Sequence, residues 1–460
     1  MPDLRDLLLR TTGHIADYRE SVASDPVAPV VDPEHLRAAL GGPLRDTGLS
    51  PDAVVEELVT AVRPALVASA GPRYFGFVVG GASDASTCAD LLATGWDQPA
   101  FNAITAPAAA IVEEIAGGWL KEALGLPSSA SFGFVTGGQG ANTVGLAAAR
   151  HHVLARAGWD VEERGVAGGP AIRVVASEER HATIDRALRL LGLGTRSVHA
   201  VAADPNGATD IDALTGALEA GEGPTIVCLQ AGNVNTGACD DIAAACDIAH
   251  RHGAWVHVDG AFGLWAAASP STRHLTNGIE RADSWATDGH KWLNVPYDSG
   301  YVFCGHPEAH VASMSFTAAY LVGHGTGPIR APSDYVPESS RRARGFATWA
   351  VLRELGRSGV ADLVDRCCAL ARQFASALGA VDDITIANDV VLNQVLVGFG
   401  DDARTDRVID AVQKDGTCWM GGTTWHGRRL MRISVSNWTT TAADVDRSID
   451  AILRARSIAG

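Results

Sequence analysis

Through its middle third the chain switches repeatedly between two hydrophobic periods. Short apolar runs, FGFV (132–135), IRVVAS (172–177), TIVCLQ (225–230), WVHVDG (255–260), SWATDG (284–289) and GYVFCG (300–305), are too short and too evenly apolar for surface helices. Between several of them lie helical stretches such as Asn142 to Ala157 and Asp241 to His252, the latter closed by Gly253. Strand and helix alternating in this way predict an α/β fold, with a mostly parallel sheet covered on both faces. Ligands in such sheets bind outside the carboxyl ends of the strands. The residues just past each apolar run are therefore the ones to read for chemistry.

The flanks divide the chain. Residues 1–70 open with an amphipathic pattern (Leu4, Leu7, Leu8, Ile15) and continue into DPVAPVVDP, a Pro-rich arm with little means of packing on itself. Residues 71–340 hold the alternating region. A helix, FATWAVLREL, then leads into a smaller α+β segment, 341–460. A net charge of −16 excludes the basic face that a nucleic acid or an anionic membrane would select. No apolar run is long enough to cross a bilayer, and no basic-then-apolar leader is present. Eight cysteines without CxxC spacing fit a reducing, cytoplasmic setting and no metal site.

Four features stand at predicted strand ends. In FVTGGQGAN a strand stops at Thr136 and a helix starts near Ala141; the Gly-Gly turn with free helical N–H groups is either a phosphate cradle or a tight turn. Asp259 follows WVHV directly and is either a turn cap or a carboxylate with a cationic partner. His181, in SEERHATID, is either structural or a flat surface on which a planar group can stack. Lys291, in DGHKWLNVPYDSG, is one of three lysines among 37 basic residues. Lys121 and Lys414 read as a snorkelling helical residue and a helix C-terminal cation. Lys291 alone lies in a turn on the ligand side of the sheet, where a desolvated amine can attack an aldehyde. A phosphate cradle, a stacking imidazole, a carboxylate and a lysine, in that order, are the parts that pyridoxal phosphate requires.

The sequence resembles the pyridoxal-phosphate-dependent group II amino-acid decarboxylases from about Gly71 to the C-terminus. HVDGAFG with DGHKWLNVPYDSG carries the resemblance; GGQGAN, GNVNTGACDDI and SRRARGFATW support it. It implies the type I fold of pyridoxal phosphate enzymes, with a seven-stranded sheet in the large domain. It implies Lys291 as the Schiff-base lysine and Asp259 as partner of the pyridine nitrogen. His181 would stack on the ring, Ala261 would pack beneath it, and Gly138, Gln139 and His290 would meet the phosphate. Asn233 would lie near the cofactor or the substrate carboxylate. SFTAAYLVGHGTG matches the family's loop with Tyr320, a residue implied to return a proton to the substrate carbon. A homodimer with active sites at its interface is implied too, the N-terminal arm being exchanged between subunits. Asp288 departs from the Asn or Ser common in relatives; an anion beside a phosphate is repulsive, so the expectation is that it points elsewhere.

The implied reaction is decarboxylation of an L-amino acid to its amine. An aminotransferase is the nearest rival, and Arg432 in MRISVSN is placed to supply a carboxylate-binding cation. An aldehyde-forming decarboxylase is the next. A nucleotide-binding protein using GGQGAN would need an acid about twenty residues on, within a βαβ unit, and LAAARHHVLARAG lacks one. Phe75, Phe77 and Phe101 lie in a segment implied to line the substrate pocket, where aromatic walls suit an aromatic or apolar substrate; they serve equally as core.

Overall fold

The computed structural model describes residues 3–29, 31–316 and 329–459. Among these, the apolar runs of the middle third form seven strands: β1 (Ser131–Val135), β2 (Arg173–Ser177), β3 (Val198–Val201), β4 (Thr225–Gln230), β5 (Trp255–Asp259), β6 (Ser284–Asp288) and β7 (Gly300–Cys304). They lie in the order β1-β7-β6-β5-β4-β2-β3. The β3, β2, β4, β5, β6 neighbours are parallel, and β7 alone runs antiparallel to β6 and β1. Every residue of β1, β4, β5, β6 and β7 is buried, which is why these strands read as unbroken apolar runs rather than alternating ones. A mostly parallel seven-stranded sheet flanked by helices is thus present, with a smaller sheet towards the C-terminus.

Six helices fill the first part of the chain: α1 (Leu4–Ser21), α2 (Pro33–Leu40), α3 (Pro51–Val62), α4 (Asp84–Trp96), α5 (Pro107–Ala123) and α6 (Gly138–Arg156). The last of these begins three residues earlier than Ala141, so the Gly-Gly turn itself forms the helix N-terminus, with Gly137 as its cap. Helix α6 crosses the sheet, and its small residues Ala141, Gly145, Ala147, Ala148 and Ala149 are buried. No residue of α1, α2 or α3 is buried, and Leu4, Leu8, Leu9, Val54 and Leu58 stand exposed.

The long helix Gly345–Gly379, broken at Gly356, leads to the second sheet. Strands β8 (Ile384–Ile386), β9 (Gln394–Phe399), β10 (Gly421–Trp425) and β11 (Arg428–Ser434) pair antiparallel in the order β10-β11-β9-β8. The segment 73–75 is stitched to this part of the chain. Trp419 N–H donates to Arg73 O (3.1 Å), Phe75 N–H to Trp419 O (2.8 Å) and Ser434 N–H to Phe75 O (2.9 Å). The glycines that follow carry the segment over Lys291: a Cβ on Gly76 would enter the Trp419 ring, and one on Gly80 would collide with the Lys291 carbonyl. Between them Phe77 and Val78 take positive φ (53° and 59°), a conformation that β-branched valine strongly disfavours.

Candidate active site

The ends of β1, β2, β4, β5 and β6 open into a cavity of about 530 Å³. Its wall includes Thr136 to Gln139 after β1, His181 after β2, Gln230 at the end of β4, Asp259 at the end of β5, and Asp288 with Lys291 after β6. Phe77 and Val78 from the strained segment, and Thr423 and Arg432 from the small sheet, close the far side.

Asp259 is buried and satisfied by donors. Its Oδ2 accepts from Asn142 Nδ2 (3.0 Å) and lies 3.4 Å from Thr183 Oγ1; its Oδ1 accepts from the Ala261 N–H (3.2 Å). His181 caps the helix Ala182–Leu190, its Nδ1 accepting the Thr183 N–H (3.2 Å), so the ring's single proton sits on Nε2. Burial pushes the imidazole below its ordinary range, against the opposing pull of Asp259, and the ring is neutral at pH 7. His290 is neutral for the same reason; its Nδ1 accepts the Ser299 N–H (3.0 Å) and its ring stacks on Tyr297.

Asp288 turns into the site, contrary to the expectation that charge repulsion would aim it elsewhere. It is 1% exposed. Oδ1 accepts the Gly138 N–H at the start of α6 (2.5 Å) and lies 3.4 Å from His290 Nε2, while Oδ2 pairs with Lys291 Nζ (2.9 Å). The helix N-terminus and the lysine make that position attractive to a carboxylate. Lys291 is thus ion-paired rather than isolated. The same turn tolerates no side chain: a Cβ on Gly137 would lie 2.8 Å from His290 and one on Gly138 2.9 Å from Asp288.

Lys291, Asp259, His181, Gly138, Gln139, Ala261, His290 and Phe77 all line this one cavity. Asn233 does not. It is fully buried, its Nδ2 donates to Glu179 O (3.2 Å), and its Oδ1 caps the N–H groups of Asn235 and Thr236. The wall there is made by Val234 and Asn235, the latter bonded to Thr423 Oγ1 (2.8 Å). Phe75 packs in the core, edge-on to Phe374, and Phe101 lies outside the cavity wall, so of the three phenylalanines only Phe77 reaches the cavity. Tyr320 lies outside the described residues. Asn142, Thr183, Asn235 and Thr423 are residues that the sequence reading missed. Asn142, four residues after Gly138, shares that residue's helical face, and this spacing was the available signal.

The site's parts fit pyridoxal phosphate: an amine, a carboxylate held at a strand end by donors, a neutral imidazole, and a helix N-terminus kept bare by glycine. Fold and site together define a class, the α/β enzymes that carry an aldehyde cofactor on a lysine at the edge of a parallel sheet. The chain belongs to the pyridoxal-dependent decarboxylase family, whose conserved domain matches residues 33–399. It is a pyridoxal-phosphate-dependent carboxy-lyase. Among similar proteins, Tryptophan decarboxylase 1 of Oryza sativa subsp. japonica is 29% identical, over 95% of this chain and 90% of its own. Phenylacetaldehyde synthase of a Rosa hybrid cultivar is 28% identical, over 79% of this chain and 74% of its own. The crystal structure of Oryza sativa TDC with PLP and tryptamine superposes with a TM-score of 0.92 at 27% identity, covering 100% of this chain and 99% of that one.

Proposed function

We propose that the chain decarboxylates an aromatic L-amino acid and releases the corresponding amine. The observation that carries the substrate class is the aromatic lining: Phe77, stacked on Trp419 (5.4 Å between centroids), and Phe262 both line the cavity that holds Lys291. The names of the similar plant enzymes point the same way.

In this reading Lys291 would hold the aldehyde end of the cofactor and Asp259 would face its ring nitrogen. His181 and Ala261 would contact the ring, and Gly138, Gln139 and His290 would hold the phosphate. Bound pyridoxal phosphate supplies the electron sink for the pair of electrons left when carbon dioxide departs. The chain's own contribution is electrostatic and steric. Donors on both Asp259 oxygens keep that carboxylate an acceptor, fixed before substrate arrives. The neutral His181 offers a flat surface without adding charge. Phe77 and Val78 shed water from the mouth of the cavity. Tyr320 returns the proton to the substrate carbon, as the decarboxylase-like loop suggests; a phenylalanine there would favour the aldehyde.

One observation favours a second reading. Arg432 lines the cavity, donating to Val234 O (3.1 Å) and leaving the rest of its guanidinium for a carboxylate, as a transaminase would need. Product analysis separates the readings. Purified protein with pyridoxal phosphate is incubated with a panel of L-amino acids, with and without 2-oxo acids. Amine from an aromatic substrate without oxo acid is expected. Amino-group transfer to the oxo acid with no amine formed sinks the decarboxylase reading, and aldehyde with ammonia supports the synthase. The same reading includes a two-fold dimer covering the apolar faces of α1 and α3. All eight cysteines are free, which suits a reducing cytoplasm, and no helix among the described residues is long and apolar enough to cross a membrane.

A further inference from the structure

Behind Asp259 runs a line of buried polar side chains to which the reaction gives no part. Trp255 Nε1 donates to Ser284 Oγ (2.9 Å), and Ser284 Oγ lies 2.8 Å from Nδ1 of His257. His257 Nε2 lies 2.9 Å from Oδ1 of Asn142, whose Nδ2 reaches Asp259 Oδ2 (3.0 Å) and Thr183 Oγ1 (3.1 Å). His257 and Ser284 are completely buried, and Asn142 and Trp255 nearly so.

One set of proton positions satisfies every contact along this line, because the indole N–H at one end only donates and the carboxylate at the other only accepts. Ser284 Oγ accepts the indole N–H and gives its own hydrogen to His257 Nδ1. Burial pushes the His257 imidazole down to about 3, so the ring is neutral and has one N–H, now fixed on Nε2. That N–H must go to the Asn142 oxygen. The amide therefore turns its NH₂ towards Asp259, whereas the flipped amide would set its oxygen against the Asp259 carboxylate and its NH₂ against the His257 N–H. Helix α6 is notched to admit the ring: a Cβ on Gly145 would stand 2.7 Å from His257 Cε1 and 2.9 Å from Nδ1.

We infer that His257 and Asn142 are positioning residues for the cofactor: the imidazole fixes the amide, and the amide fixes the Asp259 carboxylate as an acceptor. The inference rests on Asp259 being the partner of the ring nitrogen, as proposed above. Its test reads cofactor binding rather than product, so an error about the substrate leaves it intact. His257→Phe keeps a ring but loses the N–H; His257→Gln keeps an N–H within reach of Asn142. Pyridoxal phosphate affinity is measured by titrating cofactor-free protein, along with the visible band of the loaded protein and the melting temperature of each variant. For His257→Phe, affinity is expected to fall about tenfold, the scale of one hydrogen bond to a charged group, with a displaced visible band. His257→Gln is expected to recover most of both. Asn142→Leu, which keeps the amide's volume, is expected to match His257→Phe without any change in the sheet. A merely structural network would lower the melting temperature in all three and leave affinity and band within twofold of the parent. That result, or a failure of His257→Gln to recover what His257→Phe loses, overturns the inference.

Discussion

Asp288 shows how much a single carboxylate can set at a cofactor site. It takes the Gly138 N–H and the Lys291 ammonium, the two groups that a phosphate and an aldehyde would otherwise find. A competing intramolecular anion weakens the binding of an external one. Asp288→Asn is therefore expected to tighten pyridoxal phosphate binding by roughly tenfold, a charge-assisted hydrogen bond's worth. Titration of cofactor-free protein checks it, and weaker or equal binding in the variant would show that the carboxylate helps the cofactor instead. The direction of Asp288 was illegible in the sequence because repulsion from an absent phosphate was weighed without the attraction of Lys291 and the helix end. Lys291 and Asp259 were legible because each follows a fully buried strand, so its position at the ligand edge of the sheet comes from local pattern alone. Asn233 stays off the cavity wall because the turn after β4 spends its side chain on its own backbone, and hydrogen bonding inside a turn leaves no periodic trace.

At the scale of elements, the sheet followed from the alternation of periods, whereas the segment 71–83 did not. In sequence it is only a Gly-rich interruption of a largely helical stretch, and its partners are more than three hundred positions away at Trp419 and Ser434. That distance hid the core position of Phe75 and the cavity position of Phe77. The segment is held at its strained φ values by the close approach that Gly76 and Gly80 permit. Gly80→Ala forces a Cβ into the Lys291 carbonyl and must displace either the lysine turn or the Phe77 wall. A loss of about 1–3 kcal/mol of stability is expected from such overpacking, together with weakened cofactor retention. Thermal melts and pyridoxal phosphate titration of the variant measure the two separately; a variant with parental affinity would mean that the segment does not govern the lysine turn.

For the molecule as a whole, the three N-terminal helices are the part whose stability the single chain does not explain. They bury no residue, yet carry a row of exposed leucines and valines that elsewhere in the chain would be core. A second copy of the chain is the partner expected to cover them. Light scattering is expected to give twice the 47.9 kDa of one chain. Leu8→Glu with Leu58→Glu is expected to weaken association by about 10- to 100-fold for each buried leucine lost. A monomer at micromolar concentration would remove the dimer from the functional reading.

The stitching of residues 73–80 to residues 417–437 across Lys291 also has a bearing on synthesis. The wall over the lysine is built from stretches far apart in the chain, which are made in the order 73–80, 291 and 417–437. Until residues 417–437 are made and folded, the lysine and the sheet can be in place, but nothing yet holds Phe77 and Val78 over them. Completion of the cavity around the lysine therefore waits on the folding of the small sheet.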